Sequence, residues 1–124
     1  MTATDDFFAE LERRGHEPML RRLSATVRWD ILDGDRVERR LVRIDHGDIH
    51  VAVSDEPADC VIVAERTVCD DVVSGRTSAL AALLRGAAAV DGDFELMVLA
   101  QRLLPRTPGA SAGRAVAATG GRPS

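Results

Sequence analysis

The stretch that most constrains this chain is Ser74 to Pro105, SGRTSALAALLRGAAAVDGDFELMVLAQRLLP. Its two helical segments carry more apolar surface than a small domain needs to seal one side of a sheet, and they hold almost no reactive side chain. In the first, Ser78 is placed to cap a helix in which Leu80, Leu83 and Leu84 repeat at helical spacing, and Gly86 after Arg85 ends it. In the second, Asp93 is the N-cap and Pro105 the stop. Phe94, Met97 and Val98 mark one face while Leu96, Leu99, Leu103 and Leu104 mark much of the rest, so the pattern predicts that little of this helix faces water. A core helix between sheet and helix would carry this pattern, and so would a helix walling a ligand cavity. An apolar wall without reactive groups suits a container better than a catalyst.

At 124 residues the chain is one domain, long enough to bury a core without disulfides or metal. Hydrophobic residues make up 45% and charged residues 29%, the balance of an ordinary soluble globular protein. Sixteen basic against twenty acidic side chains leave a formal charge of -4, which argues against a nucleic-acid partner. No apolar run reaches the length of a membrane span, and MTATDDFF lacks the regions of a signal peptide, so the expected location is the cytoplasm. Cys60 and Cys69 match neither a redox pair nor a zinc knuckle, and free, buried thiols are expected.

Taken in order, Asp5 and Asp6 precede an apolar helical stretch with Phe7, Phe8 and Leu11 that Gly15 ends, and Pro18 suits the first turn of a second short helix. From Thr26 the period becomes alternating, with Val27, Trp29 and Ile31 on one face of a strand. Asp33-Gly34 signals a hairpin into a second strand, Val37 to Ile44, whose poor alternation predicts a bulge or a change of buried face near Leu41. A turn at Asp45 to Asp48 leads to a third strand with Ile49, Val51 and Val53 inward, and a Pro57 loop to a fourth, Cys60 to Ala64. Successive hairpins imply antiparallel pairing. Thr67 to Asp70 fits a capping box opening a short helix to Gly75, and Ala87 to Val90 fits a fifth strand. Residues 106–124 read as a disordered Gly/Ala-rich tail.

The chemical motifs fail on context. Gly109 to Gly113 has the form of a nucleophile elbow but lies in the tail, with no histidine after His50. The calcium-loop fragments at Asp33 and Asp91 have Ile44 and Arg102 where that loop needs glutamate. His46 and His50 flank a turn without a third ligand and read as surface histidines. Arg36, Arg39, Arg40 and Arg43 form one basic cluster, either a solvated face paired with nearby acids or a patch for anionic headgroups or a protein. No catalytic residue, metal site or cofactor motif is assigned.

Taken together, these residues resemble the sterol carrier protein type 2 family, also called the SCP2 sterol-binding domain. The matching features are the N-terminal helix with Phe8, Leu11 and Gly15, the strand TVRWDIL with its Asp-Gly hairpin, ADCVIVAE before a helix ending in SG, and then a leucine helix, AAAVDGD and an apolar helix ending in RLLP. The resemblance covers about residues 7 to 105, and rests on order and spacing. It implies an SCP2-like α+β domain over residues 1–105, with a five-stranded, mainly antiparallel sheet covered by helices around an apolar tunnel. It implies non-catalytic binding and transfer of a sterol, fatty acid or acyl-CoA. By position, the tunnel wall would comprise Trp29, Val51, Ile62, Val72, Leu80, Leu83, Leu84, Phe94, Met97, Val98 and Leu103. An aromatic content of 3% and the ending RPS in place of a peroxisomal address favour a bacterial member with a lipid other than a sterol.

An empty apolar cavity of ~300 Å³ would cost about 7 kcal/mol at ~24 cal/mol per Å³, as much as the stability of a small domain. A sizeable tunnel is therefore expected to be filled, or collapsed when empty. Two function classes follow: a lipid carrier with an apolar small-molecule ligand, transient membrane contact and no nucleic-acid partner, or an interaction module with a filled core that serves an enzyme as accessory subunit. A homodimer fits either.

Overall fold

The computed structural model describes residues 2–104. The tail and its Gly109 to Gly113 motif lie outside the described residues. The elements are α1 (Ala3–Arg14), a 3-10 turn (Pro18–Leu20), β1 (Ser24–Asp33), β2 (Arg36–Asp45), β3 (Asp48–Ala52), β4 (Cys60–Glu65), α2 (Arg66–Val73), α3 (Ala79–Leu84), β5 (Ala88–Gly92) and α4 (Phe94–Ala100), which continues as a 3-10 turn (Gln101–Leu103). They build an α+β fold, a five-stranded mixed sheet in the order β3-β2-β1-β4-β5 with the helices packed on one face.

β1 is the axis of the sheet. Its alternation sends Val27, Trp29 and Ile31 into the helical layer, where all three are buried. All ten of its residues pair with β2 in unbroken antiparallel register from Ser24↔Asp45 to Asp33↔Arg36. The bulge expected near Leu41 is therefore absent; the buried face changes instead. Val42 and Ile44 point to the helices, whereas Leu41 is buried on the opposite face beside Arg28. The Arg28 guanidinium donates to the carbonyls of Asp55 and Glu56, drawing residues 53–59 across that face.

This crossover also corrects the pairing expected of β4. Residues 53–59 do not form a hairpin: they carry the chain past β2 and β1, so β4 lies parallel to β1, from Val27↔Cys60 to Leu32↔Glu65. Three strand spacings are about 14 Å, within reach of seven extended residues. The other three pairings are antiparallel. The β2–β3 hairpin turns on His46 and Gly47, both at positive φ (51° and 88°), as a type I′ turn requires. A Cβ on Gly47 would lie 2.9 Å from the Glu17 carbonyl oxygen, so glycine is needed there for space as well.

The helix starts also differ from expectation in two places. α1 begins a turn earlier than Asp5-Asp6 implies, because Thr2 and Asp5 form a reciprocal capping box. α2 begins at Arg66 with Glu65 as an N-cap that makes no side-chain cap bond. Asp70 is unavailable to cap α2, since it accepts from the Thr4 amide (2.9 Å) and hydroxyl (2.6 Å) of α1. Arg66 is turned inward and buried, pairing with Glu38 (2.6 Å), Asp33 (3.3 Å) and Asp5 (3.5 Å), while Arg40 bridges Asp5 (3.2 Å) and Glu38 (3.5 Å). These pairs tie the start of α1 to β1, β2 and α2.

Removing Arg66 takes this partner from Asp33 and leaves Asp5 and Glu38 to Arg40 alone, with all three carboxylates partly hydrated. Arg66→Met is expected to lower stability by about 2 kcal/mol, against less than about 0.5 for Arg13→Met in the exposed Glu10–Arg13 pair, read from urea midpoints. Burial raises the Asp5 carboxyl, but the Thr2 amide and hydroxyl and then Arg66 and Arg40 outweigh it and hold it below its ordinary value of 3.8. Its contribution is complete above that value and fades as pH falls through the lower folded one. Below about pH 4 the wild type should therefore lose stability more steeply than Asp5→Asn.

Candidate ligand-binding site

Among the described residues, two apolar slits lie between the sheet and the helices. The first is lined by Phe7 and Leu11 of α1, Val27 and Trp29 of β1, Val42 and Ile44 of β2, and Ala100, Leu103 and Leu104. The second is lined by Trp29, by Ile62, Ala64, Ala88 and Val90 of β4 and β5, and by Val68, Val72, Ala79, Ala82, Leu83 and Met97 of α2, α3 and α4. Each has a free cavity volume of only about 10 Å³, roughly the room one water needs. Among the described residues no charged or hydroxyl side chain lines either slit, so the lining offers exclusion of water and no acid, base or nucleophile.

Trp29 borders both slits. Its ring meets Phe8 edge-on, with centroids 5.9 Å apart and an interplanar angle of 70°. Phe8 is held in turn against Phe7 at 5.2 Å. The aromatic side chains described on α1 and β1 therefore stand together over the middle of the sheet.

Of the eleven residues expected at the wall, Trp29, Ile62, Val72, Leu83 and Met97 converge on the second slit, and Trp29 and Leu103 on the first. The others do not join them. Leu84 is 78% exposed, Phe94 47%, Val98 43% and Leu80 39%. On α3 the inward stripe is Ala79, Ala82 and Leu83, which turns Leu80 and Leu84 to solvent; on α4 Leu96, Met97 and Ala100 take the inward face. Val51 borders an open groove of about 430 Å³ between α1 and the β2–β3 edge, and its amide donates to Glu12 Oε2 at 2.6 Å. The alanines of the second slit were missed, although Ala79 and Ala82, three apart, share a helical face.

Other sites resolve into ordinary chemistry. Arg39, Arg40 and Arg43 pair with Asp30, Asp5 with Glu38, and Glu56 respectively. His46 and His50 are exposed, His46 beside Asp45 at 2.8 Å. Among the described residues no three His, Cys, Asp or Glu side chains group to hold a metal, and no helix is long and apolar enough to cross a membrane.

A helix-covered sheet with water-excluding slits and no reactive lining is the architecture of a small domain with an apolar interior cleft. The chain belongs to the SCP-2 sterol transfer family, whose model matches residues 8–105. Its fold is similar to that of sterol carrier protein-2 from Aedes aegypti, solved in complex with the C16 fatty acid palmitate (TM-score 0.67, 22% identity, 85% of this chain and 99% of that one). It is also similar to the UbiJ-SCP2 ubiquinone synthesis protein (0.63, 17%, 81% and 90%). A third likeness is to the sec-alkylsulfatase Pisa1 from Pseudomonas sp. (0.63, 16%), covering 82% of this chain but 16% of that enzyme. No curated protein sequence matches the chain at a significant level.

Cys60 and Cys69 are free and buried. Burial, reinforced at Cys60 by Asp93, Asp59 and Asp91, pushes both thiols up to about 11; at Cys69 the nearby Arg66 pulls weakly the other way. At pH 8 iodoacetamide should alkylate neither thiol in the native protein and both in urea, with mass spectrometry counting the adducts.

Proposed function

We propose that the protein binds an apolar lipid of the sterol, fatty acid or acyl-CoA class in the slits beneath its helices and releases it without chemistry. The observation that carries this reading is the second slit, walled throughout by apolar side chains and collapsed to about 10 Å³. Space of that kind opens when an apolar guest replaces lost packing, and an acyl chain gains by leaving water. Family membership and the palmitate complex of the Aedes protein support it. Trp29, Ile62, Val72, Leu83 and Met97 are the proposed contacts, with Leu103 beside the first slit. A cytoplasmic protein that meets membranes transiently is the setting this reading takes.

The rival is an accessory module without its own ligand. It draws support from the near-closure of both slits and from the recurrence of the fold inside a much larger sulfatase. Ligand binding separates the two. The sequence holds one tryptophan and no tyrosine, so emission near 340 nm reports Trp29 alone.

Saturating fatty acid is expected to shift that emission and to raise the melting temperature by several degrees, since 100-fold excess over Kd adds about 2.7 kcal/mol. Ala88→Phe, filling the half-exposed mouth of the second slit, should weaken binding at least about tenfold, while Leu84→Glu on the solvent side should change it less than about twofold. No shift with any fatty acid, acyl-CoA or sterol would leave the accessory module as the reading.

A further inference from the structure

We propose that Trp29 is a partition that sets the length of hydrocarbon chain this protein accepts; the proposal rests on the lipid-binding reading above. Trp29 stands on the central strand, in register with Arg40 of β2 on one side and Ile62 of β4 on the other. The two slits lie on opposite sides of it, the first over β1 and β2, the second over β4 and β5. Joined, they would cross the helical face from β2 to β5, roughly 14 Å at the usual strand spacing. With the indole in place, braced edge-on by Phe8, they stay separate.

The two sides are unequal. Phe7, Leu11, Ile44 and Leu103 make the first slit bulky and tight. The second is walled in part by Ala64, Ala79, Ala82 and Ala88, with the adaptable Met97 above, so it can widen without a clash between branched side chains. Its open end is at Leu83, Ala88 and Val90, which are half-buried, and its inner end is Trp29. A guest enters there tail first and stops at the indole, and its polar head stays outside because nothing inside can pair with it. From the mouth at β5 to Trp29 on β1 the cleft spans two strand spacings, roughly 10 Å. At roughly 1.2 Å per chain bond, the advance of an extended backbone, that takes about eight carbons, on the order of ten with those at the mouth. The ligand class is a single unbranched chain of about that length under a polar head, since a fused-ring guest must open the cleft in two dimensions at once.

Calorimetric titration with saturated fatty acids from six to sixteen carbons tests this. For the wild type, affinity should rise about fourfold per added methylene up to about ten carbons and then level off. For Trp29→Leu the rise should continue, so that the sixteen-carbon acid binds at least about tenfold more tightly than to the wild type. A second measurement needs no variant: decanoate brominated on its terminal carbon should quench Trp29 more strongly than decanoate brominated beside the carboxylate. Equal gains per methylene in wild type and Trp29→Leu, or stronger quenching by the carboxylate-side bromine, overturns the partition and leaves lipid binding standing. Failure of every chain and sterol to bind overturns both.

Discussion

Enclosed apolar space is what this fold has to control. A void costs about 24 cal/mol per Å³ because its lining loses contacts and nothing replaces them. A sheet covered by four short helices leaves such space unless side chains reach into it. Trp29 does so from the middle of β1, with Phe8 against its edge, and the helices close on either side of the ring until each slit holds about 10 Å³. The closure is compatible with opening because it is made by packing alone. Among the described residues no hydroxyl or charged side chain lines either slit, so separating its walls breaks no side-chain hydrogen bond across it.

Polar interactions are concentrated elsewhere. Arg66 and Arg40, with Asp5, Glu38 and Asp33, clamp the N-terminal end of α1 to the sheet, and Thr4 ties it to Asp70 of α2. The far end of α1 is held by Gly15, whose carbonyl accepts from Ile49 of β3. α1 is thus fixed at both ends. α3 and α4 have lighter ties: side-chain caps at Ser78 and Asp93, the Asp93 amide on the Asp59 carbonyl, and apolar contact with the sheet. Electrostatics therefore holds α1 and α2 still and leaves the α3 and α4 walls of the second slit mainly to apolar packing, which yields more readily.

What was legible in the sequence was local. Alternation in β1, the Asp-Gly turn, Ser78 and Asp93 as caps, and the ordered run of elements that carries the family resemblance depend on neighbours a few residues apart. What was not legible depends on distant partners. That β4 pairs with β1 and not β3 goes with residues 53–59 crossing the sheet, where Arg28 donates to the carbonyls of Asp55 and Glu56. Thr67 looks like a cap until Thr4, 66 residues before Asp70, takes that carboxylate. The α3 stripe was ambiguous in a different way: Leu80, Leu83 and Leu84 fit a helical period, and so do Ala79, Ala82 and Leu83. Choosing the larger residues for the inside follows the usual rule of burial, and here it picked the wrong face.

That inversion bears on function. α3 turns Ala79 and Ala82 to the sheet and leaves Leu80 and Leu84 in water, and α4 leaves Phe94 and Val98 exposed. With α3 set farther from the sheet, two buried leucines in place of the alanines would stabilise the domain by on the order of 3 kcal/mol, a large share of what a chain this size can muster. A core selected only for stability would be filled that way, as an accessory module without a ligand would have no reason to keep its inner face small. Alanine lining gives the opposite result: an interior whose own side chains pack it to near closure with the least volume, so that a guest displaces little and supplies the apolar contact the leucines withhold. On α3, small residues within and large ones without are what the carrier reading expects and the module reading does not, on the same physical ground that makes an empty cleft collapse.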